Sequence, residues 1–503
     1  MREIKTIGVV GAGAMGRGIV QLFVQSGFTV YCYDTSSEAI HNAINNVQAM
    51  VKKSVDKGRL PTQALTFLAG NLLAASTLND LSDCDLIVEA IIEDVTIKQD
   101  LFAELESIIS ERAILASNTS SLVIAEIASK CKRPEQVAGL HFFNPVPLMK
   151  VVEVIAAVRT DSDVVESLRK AVAKTGHRAV VTEDQPGFLV NHAGRGLYTE
   201  GLRIVEEQVA SPEAIDTVLR DAIGFKMGPF ELMDLTGLDV SGKVMQSIYD
   251  QFLHEPRFRP SSLIAPRIAA GLYGRKTDRG WYQYSDGKMV FNKETPQQDE
   301  FICGTVWVDS LAQDRQFIHK LVYKSGNRLA DSPTSADLVI IEPWGMDATS
   351  YACQHKLDIN KVVAVDPLPG LDKHRTLMLS VSTQQRALKI AQGLFSCDGV
   401  AITTINDSPG FICQRVLATV INIATNIAQR AIASVDDIEA AVRVGLGYPM
   451  GPLSMGDTIG VDKVYEILST QQAITGDDRY RPSLWLRRRA QTGLSLCTPE
   501  AQC

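Results

Sequence analysis

The stretch that decides the fold is Thr6-Ile-Gly-Val-Val10 followed by Gly11-Ala-Gly13-Ala-Met-Gly16. A short apolar strand over 5–10 runs into a G-x-G-x-x-G turn, and the turn opens a helix over 15–26. Only between a strand and a helix does this pattern carry meaning. Gly11 allows the tight turn, Gly13 lets the backbone approach a pyrophosphate, and Gly16 lets the helix pack on the strand. The free N–H groups and the dipole of the helix then stabilise the anion. A second strand over 29–33 ends at Asp34, whose carboxylate can accept from a ribose 2′-OH and would repel a 2′-phosphate. No arginine follows in Thr35-Ser36-Ser37, so NAD is expected rather than NADP. The competing reading is a glycine turn serving packing alone, with a solvated aspartate. Read as a secretion signal, the same segment fails, because its apolar run is shorter than the roughly 7–15 residues required.

Outward from this turn, strand and helix patterns alternate to residue 185: a helix over 36–57, strands at 86–90, 113–117 and 151–158, and a helix over 95–110. That rhythm predicts a parallel, doubly wound Rossmann sheet. From Gly187 long helical patterns take over (189–207, 211–222, 230–253), closed by Trp281 and Tyr282. β-like runs return at Asp337-Leu-Val-Ile-Ile341 and Lys361-Val-Val-Ala-Val365. An internal repeat then sets the organisation. Pro186, Gly228, Asp234, Gly237 and Asp239 recur as Pro409, Gly451, Asp457, Gly460 and Asp462, all at one offset. The expected architecture is α/β: a Rossmann domain (1–185), an all-α domain (186–285), a reduced Rossmann-like segment with no glycine loop (286–405) and a second all-α copy (406–503). The third part is expected to bind no nucleotide.

Composition narrows the function classes. The chain has 503 residues, 45% apolar and 21% charged, enough to bury several cores. Its net charge of −8 argues against nucleic acid or anionic lipid as a partner. The apolar run after Arg415 is broken by Asn422, Asn426 and Gln429, so no membrane span is expected. Nine scattered cysteines with no C-x-x-C pair fit a reduced, cytoplasmic compartment. The eight histidines show no ligand spacing, so no metal is expected.

A second constellation is His141-Phe-Phe-Asn144-Pro-Val-Pro147 with Glu153. Glu153 interrupts an apolar strand, where a carboxylate costs several kcal/mol unless it is paired. His141 is the nearest candidate, and a carboxylate beside an imidazole fixes its tautomer for acid–base work. By residue type alone, a lone histidine and a lone glutamate are usually structural. Asn118-Thr-Ser120-Ser121 follows a strand at the edge where ligands of such sheets bind, and could serve substrate or cap a helix. Arg487-Arg-Arg489 could be taken for an anion site, but in an acidic chain it reads as a solvated helix end or as the repeat's remnant of the Arg275–Lys276 region.

GAGAMG, Asp34, VEAIIED (88–94), SNTSSL (117–122), AGLHFFNPVPLMKVVEV (138–154), PGFLVN (186–191) and MGPFELMDLTGLD (227–239) together resemble the NAD-dependent L-3-hydroxyacyl-CoA dehydrogenases. The remainder resembles the C-terminal part of longer bacterial members of that family from phenylacetate degradation. The resemblance implies oxidation of a (S)-3-hydroxyacyl-CoA, with 3-hydroxyadipyl-CoA as the substrate. It makes His141 the acid–base and Glu153 its orienting partner, with Ser120 and Asn191 holding the substrate's C3 oxygen and thioester. It implies cofactor contacts from Glu93, Lys98, Asn118, Ser120, Asn144 and Lys276, and a CoA contact from Lys57. Without it, Lys98 and Lys276 read as solvated charges. It also implies that the second helical copy packs on the first as a covalent stand-in for a partner subunit, with further homo-oligomer formation left open. His192 stands where an arginine is usual, and Gln414 replaces Asn191 in the repeat, so the second copy cannot assemble the same site. Arg195 and Arg203 are candidates for a distal carboxylate. A CoA-independent β-hydroxyacid dehydrogenase and a non-catalytic NAD-binding protein remain the alternatives.

Overall fold

The computed structural model describes residues 3–290 and 302–501; part of the 286–405 stretch and Cys503 lie outside the described residues. The chain forms two compact units, one of residues 1–192 with 430–446 and one of 193–429 with 447–503.

In the first unit eight strands form one sheet: β1 (Thr6–Val10), β2 (Thr29–Tyr33), β3 (Leu72–Ala74), β4 (Leu86–Glu89), β5 (Ile114–Ser117), β6 (Val137–Phe142), β7 (Val151–Ala156) and β8 (Arg178–Glu183). Their order is β3-β2-β1-β4-β5-β6-β7-β8. Neighbours from β3 to β6 are parallel, as the rhythm requires, and strands β1, β4, β5 and β6 are almost wholly buried. The expectation of an all-parallel sheet needs one correction. β7 runs antiparallel to β6, and β8 follows β7 in parallel. Only residues 143–150 link β6 to β7, too few for the dozen or so residues of a parallel crossover. The chain turns back as a hairpin, and that reversal places Glu153 directly opposite His141.

β8 is an edge strand, and edges invite aberrant pairing unless covered. The segment 430–446 covers it: Glu183 N donates to Ile432 O (2.9 Å) and Val181 N to Asp437 Oδ2 (3.3 Å), while Arg178 pairs with Asp437. The second unit repeats this device. There Asn406 N donates to Val209 O at 3.0 Å, and residues 406 and 209 are 183 and 432 carried across the repeat offset.

The second unit holds a two-stranded ribbon, β9 (Tyr284–Ser285) and β10 (Lys288–Met289), and a six-stranded sheet. The six strands are β11 (Thr305–Val308), β12 (Arg328–Leu329), β13 (Leu338–Ile341), β14 (Val362–Val365), β15 (His374–Leu379) and β16 (Ala401–Ile405). Their order is β12-β11-β13-β14-β15-β16, and again the penultimate strand is the one that reverses. Asp309-Ser-Leu-Ala-Gln-Asp314 stands where the first sheet has its glycine turn. Helix Ile412–Gln429 is buried all round except at Asn426 and Gln429, which makes it the axis of this unit. No helix among the described residues is long and apolar enough to cross a membrane. This helix packs on Arg195–Glu206, where a Cβ at Gly196 would come within 3.1 Å of Val420 N. Arg415 joins the two: its Nε meets Glu200 at 2.7 Å, its Nη1 Glu207 at 2.7 Å, and its Nη2 the Tyr480 hydroxyl. The expected contact between the helical copies is present. The long helices read over 189–207 and 230–253 are each interrupted, at Gly194 and at Gly237 (φ 89°).

Acidic groups crowd the carboxyl edge of the second sheet. Burial pushes the Glu342 carboxyl up to about 7, and Asp366 likewise to about 7. An acid raised in the folded state stabilises the fold below its ordinary value and loses that contribution as pH climbs through the raised one. From 4.5 to about 7, Glu342 alone corresponds to about 3 kcal/mol. Thermal stability of the second unit therefore falls between pH 5 and pH 8, and Glu342→Gln flattens that slope. Parallel pH–Tm curves for the two proteins would contradict the assignment.

Candidate functional site

Every residue singled out in the first unit's glycine, Asn-Thr-Ser and His-Phe-Phe motifs lies at or just beyond the carboxyl ends of β1, β4, β5 and β6. A cleft of about 1040 Å³ opens there, lined among others by Gly11, Gly13, Asp34 and Ile92. Gly11 (φ 108°) cannot be replaced, since a Cβ would sit 2.4 Å from Ala90 O; at Gly16 it would sit 1.7 Å from Gly11 O. At Gly13 it would meet nothing within 4 Å. Two glycines are thus required by packing, and the third keeps open space over the start of helix Ala14–Gln25. The turn fits a dinucleotide's pyrophosphate on that ground. Asp34 does two things: its Oδ2 accepts from Ala12 N (2.8 Å), fixing the turn, and its Oδ1 accepts from Ser36 N (3.0 Å).

His141 and Glu153 are hydrogen-bonded, Nδ1 to Oε2, at 2.5 Å. Glu153 is fully buried, and its Oε1 accepts from Leu189 N (2.8 Å) and Val190 N (2.7 Å). Three bonds offset the cost of burying that carboxylate. One oxygen grips the imidazole and the other grips the start of the short helix Val190–Ala193, which carries Asn191. The His141 ring lies against Phe143 and Phe188, with centroids 4.4 and 5.9 Å away. Nδ1 is committed to Glu153, so Nε2 is the nitrogen able to exchange a proton with a ligand.

The Asn-Thr-Ser loop is tied in from two sides. Asn118 Oδ1 accepts from Phe142 N (2.8 Å), linking the loop to the strand that carries His141. Glu93 Oε1 accepts from the Thr119 hydroxyl (2.6 Å), Ser120 N (3.3 Å) and the Ser121 hydroxyl (3.0 Å). Burial pushes the Glu93 carboxyl up, but the Thr119 hydroxyl and Lys98 outweigh it and hold it below its ordinary value.

Lys98, read from its type as a solvated charge, is buried at 1% exposure. Its Nζ lies 2.5 Å from Glu89 and 3.3 Å from Glu93. Glu89, fully buried, also accepts from the Ser117 hydroxyl (2.6 Å) and Ile91 N (2.7 Å). The sequence reading missed Glu89 and Ser117; a glutamate ending an otherwise apolar strand is the signal that could have found them. Removing Glu89 strands a buried ammonium with half its compensation, so Glu89→Ala costs about 3–5 kcal/mol. Denaturant unfolding checks this, and a loss under about 1 kcal/mol, what an exposed pair costs, would contradict it.

The remaining candidates are not gathered by the first unit's network. Asn144 is exposed, and Lys57 is exposed at the C-terminal end of helix Ser37–Asp56. Lys276 belongs to the second unit, where its Nζ pairs with Asp239 at 2.5 Å. Arg203 is bound by Glu207 (2.6 Å) and Asp477 (3.4 Å), and Arg195 is buried against Tyr198. Trp281 and Tyr282 do close the helical core, Trp281 edge-on to Phe230 and Tyr282 through its hydroxyl to Asp216. The 487–489 run is only partly the solvated helix end expected of it: Arg487 is exposed, while Arg489 is buried over the Trp485 ring one turn earlier in the same helix.

Two family models match. One, described as 3-hydroxyacyl-CoA dehydrogenase, NAD binding domain, covers residues 6–185; the other, its C-terminal domain, matches twice, at 187–284 and 410–496. The chain is 34% identical over 490 residues to the 3-hydroxyadipyl-CoA dehydrogenase of Escherichia coli K12, covering 97% of this chain and 98% of that one. It is 36% identical over 287 residues to the mitochondrial hydroxyacyl-coenzyme A dehydrogenase of Sus scrofa, 56% of this chain and 91% of that one. A crystal structure described as 3-hydroxybutyryl-CoA dehydrogenase from Escherichia coli K12 superposes with a TM-score of 0.84 at 34% identity, over 98% of this chain and 99% of that one.

Proposed function

Because this chain belongs to the 3-hydroxyacyl-CoA dehydrogenase family, an NAD-dependent group of oxidoreductases acting on CH–OH, we propose that His141 is its acid–base and Glu153 the group that orients it. The substrate is a (S)-3-hydroxyacyl-CoA and the product a 3-oxoacyl-CoA. The observation that carries the assignment is the Nδ1–Oε2 bond, which leaves Nε2 to receive the 3-hydroxyl proton. Glu153 then stabilises the imidazolium, as the carboxylate of a triad does. NAD, when bound, supplies the hydride acceptor.

The residues divide the remaining work by position. Gly11, Gly13 and Gly16 receive the pyrophosphate, Asp34 the adenosine ribose, and Glu93, Lys98, Asn118 and Asn144 the rest of the cofactor. Ser120 and Asn191 hold the substrate oxygen and thioester, and Lys57 meets CoA. The four consecutive parts of the chain (1–185, 186–285, 286–405, 406–503) serve unequally: the first two carry the chemistry, and the last two supply packing without a nucleotide site. In place of the glycine turn the third part presents Asp309-Ser-Leu-Ala-Gln-Asp314, an acidic turn without glycine that disfavours a pyrophosphate.

For the acyl chain we favour 3-hydroxyadipyl-CoA in phenylacetate catabolism, supported by the full-length relative of that name. The solved relative described with 3-hydroxybutyryl-CoA supports a short chain instead. An NADH-formation assay comparing the two thioesters decides between them; a kcat/KM higher for the short chain rejects the dicarboxylic one, and no turnover of either rejects the redox assignment. The eight described cysteines are all free thiols, which supports a reducing, cytoplasmic location.

A further inference from the structure

In the second unit, three guanidiniums meet in a polar cleft of about 520 Å³ that none of the motifs above explains. Arg257 comes from the first helical copy, and Arg481 and Arg487 from the second. Among the described residues no aspartate or glutamate lines the cleft, in a chain whose net charge is −8. Its volume falls in the range of small-ligand pockets, about 300–1,000 Å³.

The charges there are under-compensated. Glu255 serves two of them, Arg257 at 2.9 Å and Arg481 at 3.9 Å, and Arg487 is exposed with no ion pair among the described residues. Arg257 is only 7% exposed, and its Nε, like the buried Ser469 Oγ in the same lining, has no hydrogen-bond partner among the described residues. A buried, unsatisfied guanidinium donor is expensive, and an anion is what would satisfy it. Burial works against the Arg257 charge, and Glu255 restores part of it. Helix Leu484–Thr492 begins at this cleft with Leu484 in its lining, which adds the positive end of a helix dipole.

The lining is partly inherited from the repeat. Past the helices the copies align one residue off the earlier offset: Arg257-Phe-Arg-Pro-Ser261 recurs as Arg479-Tyr-Arg-Pro-Ser483, each closing a matching short turn, so Arg481 corresponds to Arg259. Arg487 falls on Ala265 in that alignment and is the cation particular to the second copy.

We propose that this cleft binds a phosphate-bearing anion, held by Arg257, Arg481 and Arg487 with the Ser469 hydroxyl as a further donor. Arg481 and Arg487 are exposed, so their removal leaves the fold intact, and neither belongs to the redox machinery. Isothermal titration of the full chain with inorganic pyrophosphate, with NAD present in saturating amount to occupy the glycine turn, is the test, repeated on Arg481→Ala/Arg487→Ala and alongside citrate. The native chain is expected to bind pyrophosphate, the double variant to bind it about 100-fold more weakly, about tenfold for each charge-assisted hydrogen bond removed. NADH-forming turnover stays unchanged in the variant. No heat from the native chain, or equal affinity in the variant, overturns the site; tighter binding of citrate than of pyrophosphate overturns the ligand class.

Discussion

Replacing His141 by alanine lowers kcat by about 10²–10⁴-fold, the usual contribution of a positioned acid–base, and leaves NAD affinity unchanged. The two halves of this expectation have separate structural grounds. The imidazole touches Glu153, Phe143 and Phe188, none of which lines the cleft over the glycine turn. The turn is held by other groups, Gly11 against Ala90 and Ala12 against Asp34. Cofactor binding therefore survives loss of the ring while proton transfer does not. Steady-state rates and a cofactor fluorescence titration read the two quantities independently. Full turnover in the variant removes His141 from the chemistry; loss of NAD binding instead would make it a structural residue of the cofactor site.

Glu153→Gln is the second large effect, and it separates orientation from stability. The carboxylate makes two kinds of bond. To Leu189 N and Val190 N it is an acceptor, and a glutamine carbonyl oxygen can replace it there. To His141 Nδ1 it is also an acceptor, but the glutamine would present its NH₂ group, a donor. The imidazole must then accept at Nδ1 and carry its proton on Nε2, the wrong tautomer for taking a proton from a hydroxyl. The matching change in a serine protease triad costs about 10⁴-fold. A fall in kcat of that order is expected here, with unfolding stability changed by under about 1 kcal/mol because the two backbone donors stay satisfied. Glu153→Ala, by contrast, leaves those two buried donors bare and costs about 2–6 kcal/mol, counting about 1–3 for each. Should Gln and Ala reduce turnover and stability alike, Glu153 acts only as a strut.

The helical repeat acquires a physical role in the same terms. Its segment 430–446 satisfies the edge of the sheet that carries His141 and Glu153, and the reciprocal pair 406–209 does the same for the second sheet. Both edges are left as unpaired N–H groups without it.

Much was legible in the sequence because it rests on neighbours in the chain. The glycine turn, Asp34 at the end of the second strand, and the constant offset from Pro186 to Asp239 are local patterns, and local sterics determine them. The need of Glu153 for a partner was also legible, since an apolar strand cannot hold a bare carboxylate. What only the tertiary structure decided depends on register and on which surfaces meet. The reversal of β7 puts Glu153 opposite His141; a parallel strand would have separated them. Lys98 is an ammonium on a polar-looking helix until the end of β4 brings Glu89 within 2.5 Å of it. Arg257 and Arg487 share a cleft only because two helical copies fold together. Hydrogen bonds and ion pairs of this kind depend on distance in space, and separation along the chain does not encode that distance.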